Sequence, residues 1–110
     1  MRAVLLALAL AAAACGATPP ERQLLTDFFH ASRLHDTTRL GNIASVTFNP
    51  RTEGTVEQFA IASIGDEQAG AKEVTVTAQV RTAEGQTNPR TMVFTIRRGA
   101  DGRWMITGLK

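Results

Sequence analysis

Two segments in the second half of the chain alternate apolar and polar residues without a break, and they restrict the fold more than any other feature. Between Lys72 and Thr82, the residues Val74, Val76, Ala78 and Val80 alternate with Thr75, Thr77, Gln79 and Arg81. Between Arg90 and Arg98, Met92, Phe94 and Ile96 alternate with Thr91, Val93 and Thr95. Period two places each set on one face of a strand. The loop between them, Ala83 to Asn88, is short and carries Gly85, so the pair predicts an antiparallel hairpin with one buried face. Gly99-Ala-Asp-Gly102 turns the chain again, and Arg103 to Leu109 returns with Trp104 and Ile106 on one side. Upstream, Val56 to Ile64 reads as a strand with Phe59 and Ile61 on one side, ended by Gly65-Asp66-Glu67. Val46-Thr47-Phe48 reads as a further short strand ended by Asn49-Pro50. Sequential strands with short connections form an antiparallel meander.

The residues ahead of the strands have a helical period. Thr18-Pro-Pro-Glu21 reads as a helix start, with Thr18 as cap, Pro19 at the first helical position and Glu21 closing the capping box. Leu24, Leu25, Phe28, Ser32 and His35 then share one face, flanked by Phe29 and Ala31. Arg22, Gln23, Thr26, His30 and Arg33 take the other, and Leu34 falls on that polar side without a reason. Asp36 caps a short second helix whose apolar edge is Leu40, Ile43 and Ala44. The expected fold class is α+β: an N-terminal helix and a short second helix packed on a curved antiparallel sheet of about four strands. One domain, residues 21–110, holds all of it.

The first residues read as an address. Met1-Arg2 is followed by an unbroken run of Ala, Val and Leu from Ala3 to Ala14. Twelve helical residues span roughly 18 Å, short of the ~30 Å hydrocarbon core, and Pro19-Pro20 stops any extension. Residues 1–14 therefore read as a signal peptide. The single cysteine of the chain, Cys15, follows directly in Ala12-Ala-Ala-Cys15-Gly16. This segment resembles the lipobox of bacterial lipoproteins. The resemblance implies cleavage before Cys15, a thioether-linked diacylglycerol on it, and acylation of the new amino group. Residues 15–20 are then the lipidated cysteine and a tether, and the membrane is a partner through the lipid on Cys15. Several acyl chains, at ~0.8 kcal/mol per buried CH₂, make such an anchor permanent. Gly16 to Pro20 reaches roughly 17 Å at full extension. By the same resemblance, Gly16 in place of Asp favours the periplasmic side of the outer membrane in a Gram-negative source. The other reading is ordinary signal cleavage after Ala14, since Ala12-x-Ala14 satisfies that rule as well. It leaves a lone exposed thiol.

The order of elements resembles the nuclear transport factor two-like superfamily, the cystatin-like cone. The resemblance is carried by Leu24-Leu-x-x-Phe28-Phe-x-Ala31, by His35-Asp36, by Leu40-x-x-Ile43 and by Gly102-Arg-Trp104-x-Ile106. It covers nearly all of residues 21–110. It implies a cone whose pocket draws on His35, Phe28, Phe94 and Trp104, and a sheet through which relatives often dimerise. The superfamily includes ketosteroid isomerases and dehydratases. Their oxyanion holes use Tyr donors, and this chain has no Tyr.

The remaining chemistry is sparse. Two His and one Cys are too few for most dedicated metal sites, and no cofactor motif is present. Asp27 and His30 stand three apart on the polar side of the helix, where a solvated pair outweighs a dyad. His35 reads either as a helix-end or core histidine, or as a ligand contact in the cone. Residues 15–71 carry 4 basic and 7 acidic groups, and residues 72–110 carry 7 basic and 3 acidic. Arg90, Arg97, Arg98 and Arg103 in the second set are either a patch for anionic headgroups or an acidic partner, or edge-strand protection. Only two Lys, no aromatic stacking motif and an exported address argue against a nucleic-acid partner. The expected function is a lipid-anchored cell-envelope protein whose small α+β module binds a small ligand or another protein, a homodimer through the sheet included. The alternative is a small isomerase- or dehydratase-like enzyme using His35 in the cone.

Overall fold

The computed structural model describes residues 19–110. The signal segment 1–14, Cys15 and the Thr18 cap lie outside the described residues. Helix α1 runs from Pro20 to Leu34, with Pro20 rather than Pro19 in its first turn and no side chain capping it. Proline suits that position because its missing N–H would have no helical partner. Glu21, Leu25, Phe28, Phe29, Ala31 and Ser32 are buried, at the spacing of one helical face. The helix ends in a Schellman turn. The Asp36 N–H donates to Ala31 O at 2.9 Å and the His35 N–H to Ser32 O at 3.2 Å, with His35 left-handed at φ 56°. That turn swings His35 out of the apolar stripe expected for it, and its side chain is exposed.

Helix α2 (Thr37–Ile43) starts as expected, the Asp36 carboxylate accepting from the Arg39 N–H at 3.1 Å. The next segment differs from expectation. Val46–Phe48 forms no strand. Ala44 makes one parallel bridge to Ile106, and the Ser45 N–H donates to Ile106 O at 2.9 Å. The chain then turns into a single-turn helix, α3 (Pro50–Glu53). Asn49 caps it reciprocally: its side chain accepts from the Arg51 N–H, and its own N–H donates to the Glu53 carboxylate, both at 3.0 Å. Asn49-Pro50 is thus a helix start rather than a strand stop.

Strands β1 (Thr55–Ile64), β2 (Ala71–Arg81), β3 (Thr87–Arg98) and β4 (Trp104–Leu109) form one antiparallel meander in the order β1-β2-β3-β4. Register shifts interrupt β1 between Val56 and Gln58 and between Ile61 and Ser63. Such bulges bend a strand and disrupt an open edge. Gly54 admits the chain to β1. At φ 93° a Cβ there would stand 2.6 Å from Val80 Cγ1 and 2.7 Å from Arg81 O, so no side chain fits.

The helices cover one face of the sheet. Val74, Val76, Ala78 and Val80 of β2 and Met92, Phe94 and Ile96 of β3 point into that layer, as their alternation requires. All five phenylalanines of the chain meet there. Phe29 is the common member: its ring lies 5.7 Å from Phe28, 5.9 Å from Phe48, 5.3 Å from Phe59 and 5.6 Å from Phe94. These are edge-to-face or tilted pairs, each contributing about 0.5–1.5 kcal/mol beyond burial. Phe29 therefore joins α1, the 44–49 segment, β1 and β3. Phe29→Ala is expected to cost about 3–5 kcal/mol and Phe29→Leu clearly less, measured by urea unfolding monitored through circular dichroism. A loss under about 1 kcal/mol for the alanine variant would contradict this central role.

Candidate functional site

Three surfaces of the domain carry unassigned chemistry, and α1 separates two of them. The first is a groove beside the C-terminal end of α1, with a volume of about 430 Å³. Ser32 and His35 line one side, Thr37 and Leu40 come from the start of α2, and residues 47–51 close the other side. The groove exists because the Schellman turn sends the chain away from α1 and the Asn49 cap brings it back. Leu40, Phe48 and Pro50 give it apolar walls. Ser32 is buried, at 3% exposure, and its Oγ has no hydrogen-bond partner. A buried hydroxyl in this state costs about 1–3 kcal/mol. His35 sits on the rim in a left-handed conformation that glycine normally takes. No lining residue is acidic.

The second surface is at the opposite end of α1, roughly 22 Å away along a helix of this length. Glu21, in the first turn of the helix, is ion-paired with Lys72 at the start of β2. The Lys72 ammonium lies 4.6 Å from the centroid of the Trp104 ring, and the Arg98 guanidinium lies 4.7 Å from the same ring. Arg98 is also paired with Glu67 at 2.9 Å. Trp104 is half-buried in this assembly. Burial pushes the Glu21 carboxyl up. The hydrogen bond from Lys72, a backbone hydrogen bond and the Lys72 charge outweigh that and hold it below its ordinary value of 4.5.

The third surface is the outer face of the sheet. Register puts Thr75 beside Val93 and Thr77 beside Thr91, on the side opposite the buried valines. Thr95 and Met105 lie on the same side, but the face is not free of charge. Glu73, opposite Thr95, reaches Lys110, whose backbone pairs with Val93, at 3.7 Å. Arg97 stands opposite Met105, and Arg81 meets Glu57 at 3.0 Å.

The residues singled out in the sequence are distributed over these places. Phe28 and Phe94 touch edge to face at 5.7 Å, and both have 0% exposure. His35 stands at one end of α1 and Trp104 at the end where the helix starts. Asp27 and His30 do not pair with each other: Asp27 takes Arg39 at 2.9 Å, and His30 takes Arg33 at 3.2 Å. The four arginines divide as well. Arg90 faces Glu53 at 3.8 Å, and its backbone sits opposite Ala78, seven strand positions from the Arg97–Ala71 pair. Sequence reasoning missed Arg51 and the groove role of Ser32. The signal within reach was Asn49-Pro50, a helix start that folds residues 47–51 back toward α1. Among the described residues no helix is long and apolar enough to cross a membrane, and no three His, Cys, Asp or Glu gather as metal ligands. Comparison with protein-family models, curated proteins and solved structures finds no match.

Two measurements follow from this geometry. The Glu21 carboxyl is held low in the folded state, so its contribution is complete above the unfolded value of 4.5 and is lost as pH falls through the folded value. Glu21→Gln is expected to lower stability by about 1–3 kcal/mol at neutral pH and to flatten this acid limb in urea titrations run across it. His35→Gly is expected to stabilise the protein by about 1 kcal/mol, since glycine takes the left-handed cap without strain. A lower unfolding midpoint for His35→Gly would show that the imidazole itself holds the turn.

Proposed function

We propose that the chain is a lipid-anchored cell-envelope protein whose single domain is a binding module rather than an enzyme. The observation that carries this reading is the position of the helix start relative to Cys15. α1 begins at Pro20, five residues after Cys15, and its first turn is fastened to Lys72 and Trp104. A tether of at most roughly 17 Å turns that end of the domain to the bilayer. There the half-buried indole, Arg97, Arg98 and Arg103 suit the headgroup layer, where tryptophan and cationic side chains reside. The groove at the other end of α1 then faces away from the membrane, open to a soluble ligand. In a Gram-negative source the anchor belongs to the periplasmic side of the outer membrane, from the Gly16 that follows Cys15.

In this reading the fold is the nuclear transport factor two-like cone. The helix-first order, the break at Asp36, the bulged β1 and the last strand opening on Trp104 support it. The binding reading draws support from the interior, where Phe28, Phe29 and Phe94 take the space a cone pocket would need. A protein partner or a second copy has the outer sheet face, where the threonines of β2 and β3 lie beside the Glu73–Lys110 pair.

Expression in a diderm bacterium followed by fractionation tests the anchor. The wild-type protein is expected in the membrane fraction, with an intact mass that starts at Cys15 and includes acyl chains. Cys15→Ser is expected in the soluble fraction. The sole tryptophan reports orientation: Trp104 emission is expected to shift to the blue when the acylated protein is reconstituted into anionic vesicles. Equal solubility of both forms, with no added mass, would overturn the proposal.

A further inference from the structure

We infer that the groove between the end of α1 and residues 47–51 is a binding site for a small carboxylate with a compact apolar body. The inference deepens the reading of the domain as a binding module. It starts from Ser32, a residue that lines the groove and whose hydroxyl is buried with no partner in the protein. Buried hydroxyls in native domains are almost always satisfied. Ser32 O takes the His35 N–H and Ala31 O takes the Asp36 N–H, and the hydroxyl bonds to neither. An acceptor in the groove supplies what the fold withholds once the Ser32 side chain turns to a rotamer that presents its hydroxyl there.

The groove also selects the charge of its occupant. Its polar lining offers donors: the hydroxyls of Ser32, Thr37 and Thr47, the His35 ring and the Arg51 guanidinium. Carboxylates are missing from it. Arg39, Arg81, Arg90 and Arg98 each have a carboxylate partner. Arg51, like Arg22, Arg33, Arg97 and Arg103, has none among the described residues, and of these it alone lines the groove. Its backbone N–H is used by the Asn49 cap. A guanidinium held on a capped turn, at the rim of an acid-free groove, suits a carboxylate through paired N–H bonds. Leu40, Phe48 and Pro50 form the rest of the lining, and they take hydrocarbon or an aromatic ring rather than more charge. At about 430 Å³ the space lies toward the small end of small-molecule sites. A single charge with an apolar body, and not a polyanion, matches one guanidinium beside three apolar side chains. His35 belongs to the same wall, held in its left-handed turn where a glycine would leave the groove open on that side.

The test uses the soluble Cys15→Ser form beginning at residue 15, because the described residues contain the whole core. Benzoate and hexanoate are titrated against their neutral counterparts benzamide and hexanamide, and against inorganic phosphate, with ¹H–¹⁵N spectra as readout. At least one carboxylate is expected to give saturable shifts centred on Ser32, His35, Thr47 and Arg51, about tenfold tighter than its amide. Arg51→Gln is expected to bring the carboxylate down to the amide's affinity. Ser32→Ala is expected to weaken the carboxylate while leaving the protein at least as stable, which separates a binding role from a packing defect. Unsaturable or scattered shifts, equal binding of acid and amide, or phosphate binding tighter than either carboxylate would overturn the inference. Because this form carries no lipid, its outcome is independent of whether Cys15 is acylated.

Discussion

The edge-to-face contacts of Phe29 are the interaction on which the other parts of the domain depend. A four-stranded open sheet with one helix across it has few ways to gather its irregular segments, and this chain has no internal disulfide to do so. One ring touches α1, the 44–49 segment, β1 and β3 at once. The bulged edge strand is held to the layer by Phe59 and the turn before α3 by Phe48. The groove inherits its shape from this anchor, since Phe48 packs on Phe29 and also walls the groove. The groove is therefore a by-product of how the core closes, and changes to its apolar wall are felt in the core.

The strands were legible because period two survives burial on one face. Val74, Val76, Ala78 and Val80 have nothing but that face to occupy, and the structure puts all four at 4% exposure or less. The first helix was legible for the same reason at period 3.6. What escaped was decided by caps rather than by period. Val46-Thr47-Phe48 has strand propensity, yet the reciprocal Asn49 cap and the seat of Phe48 against Phe29 outweigh three residues of alternation. Counting helical positions puts His35 on the apolar stripe, but the helix ends one residue earlier. Once a Schellman turn intervenes, helical spacing no longer predicts direction. Of the groove, the sequence disclosed His35 as a residue to watch, while Arg51 and Ser32 needed the return of the chain through α3.

The two ends of α1 differ in how their charges are handled. At the start of the helix, Glu21, Lys72, Arg98 and Glu67 are matched around Trp104, so every one of these charges has an opposite neighbour. These four charges cancel, while Arg97 and Arg103 at the same end have no carboxylate partner among the described residues, so contact with a bilayer would rest on the indole and these two cations. At the far end Arg51 is left without a carboxylate and Ser32 without an acceptor. The helix dipole opposes an anion at this end, because its negative pole lies near His35; the Schellman turn reduces that effect by covering two of the last carbonyls. The asymmetry lies in the side chains, and it makes one end a finished contact and the other an open one.

Local rules are broken twice within four residues, and this distinguishes the groove from the rest of the surface. A serine hydroxyl is buried without a partner, and a histidine occupies a backbone region suited to glycine. Ala69 is also left-handed, but it sits beside Gly70 in an exposed two-residue turn where Gln68 and Ala71 exchange both backbone hydrogen bonds, and nothing else there is unsatisfied. Its strain belongs to the turn alone. At Ser32 and His35 the two costs coincide at one wall of one cavity. Alanine at 32 and glycine at 35 would each relieve the fold, so stability alone gives no reason for either residue. A cost that folding does not recover points to a state in which it is recovered, and an acceptor in the groove is the state that satisfies the hydroxyl and the guanidinium together.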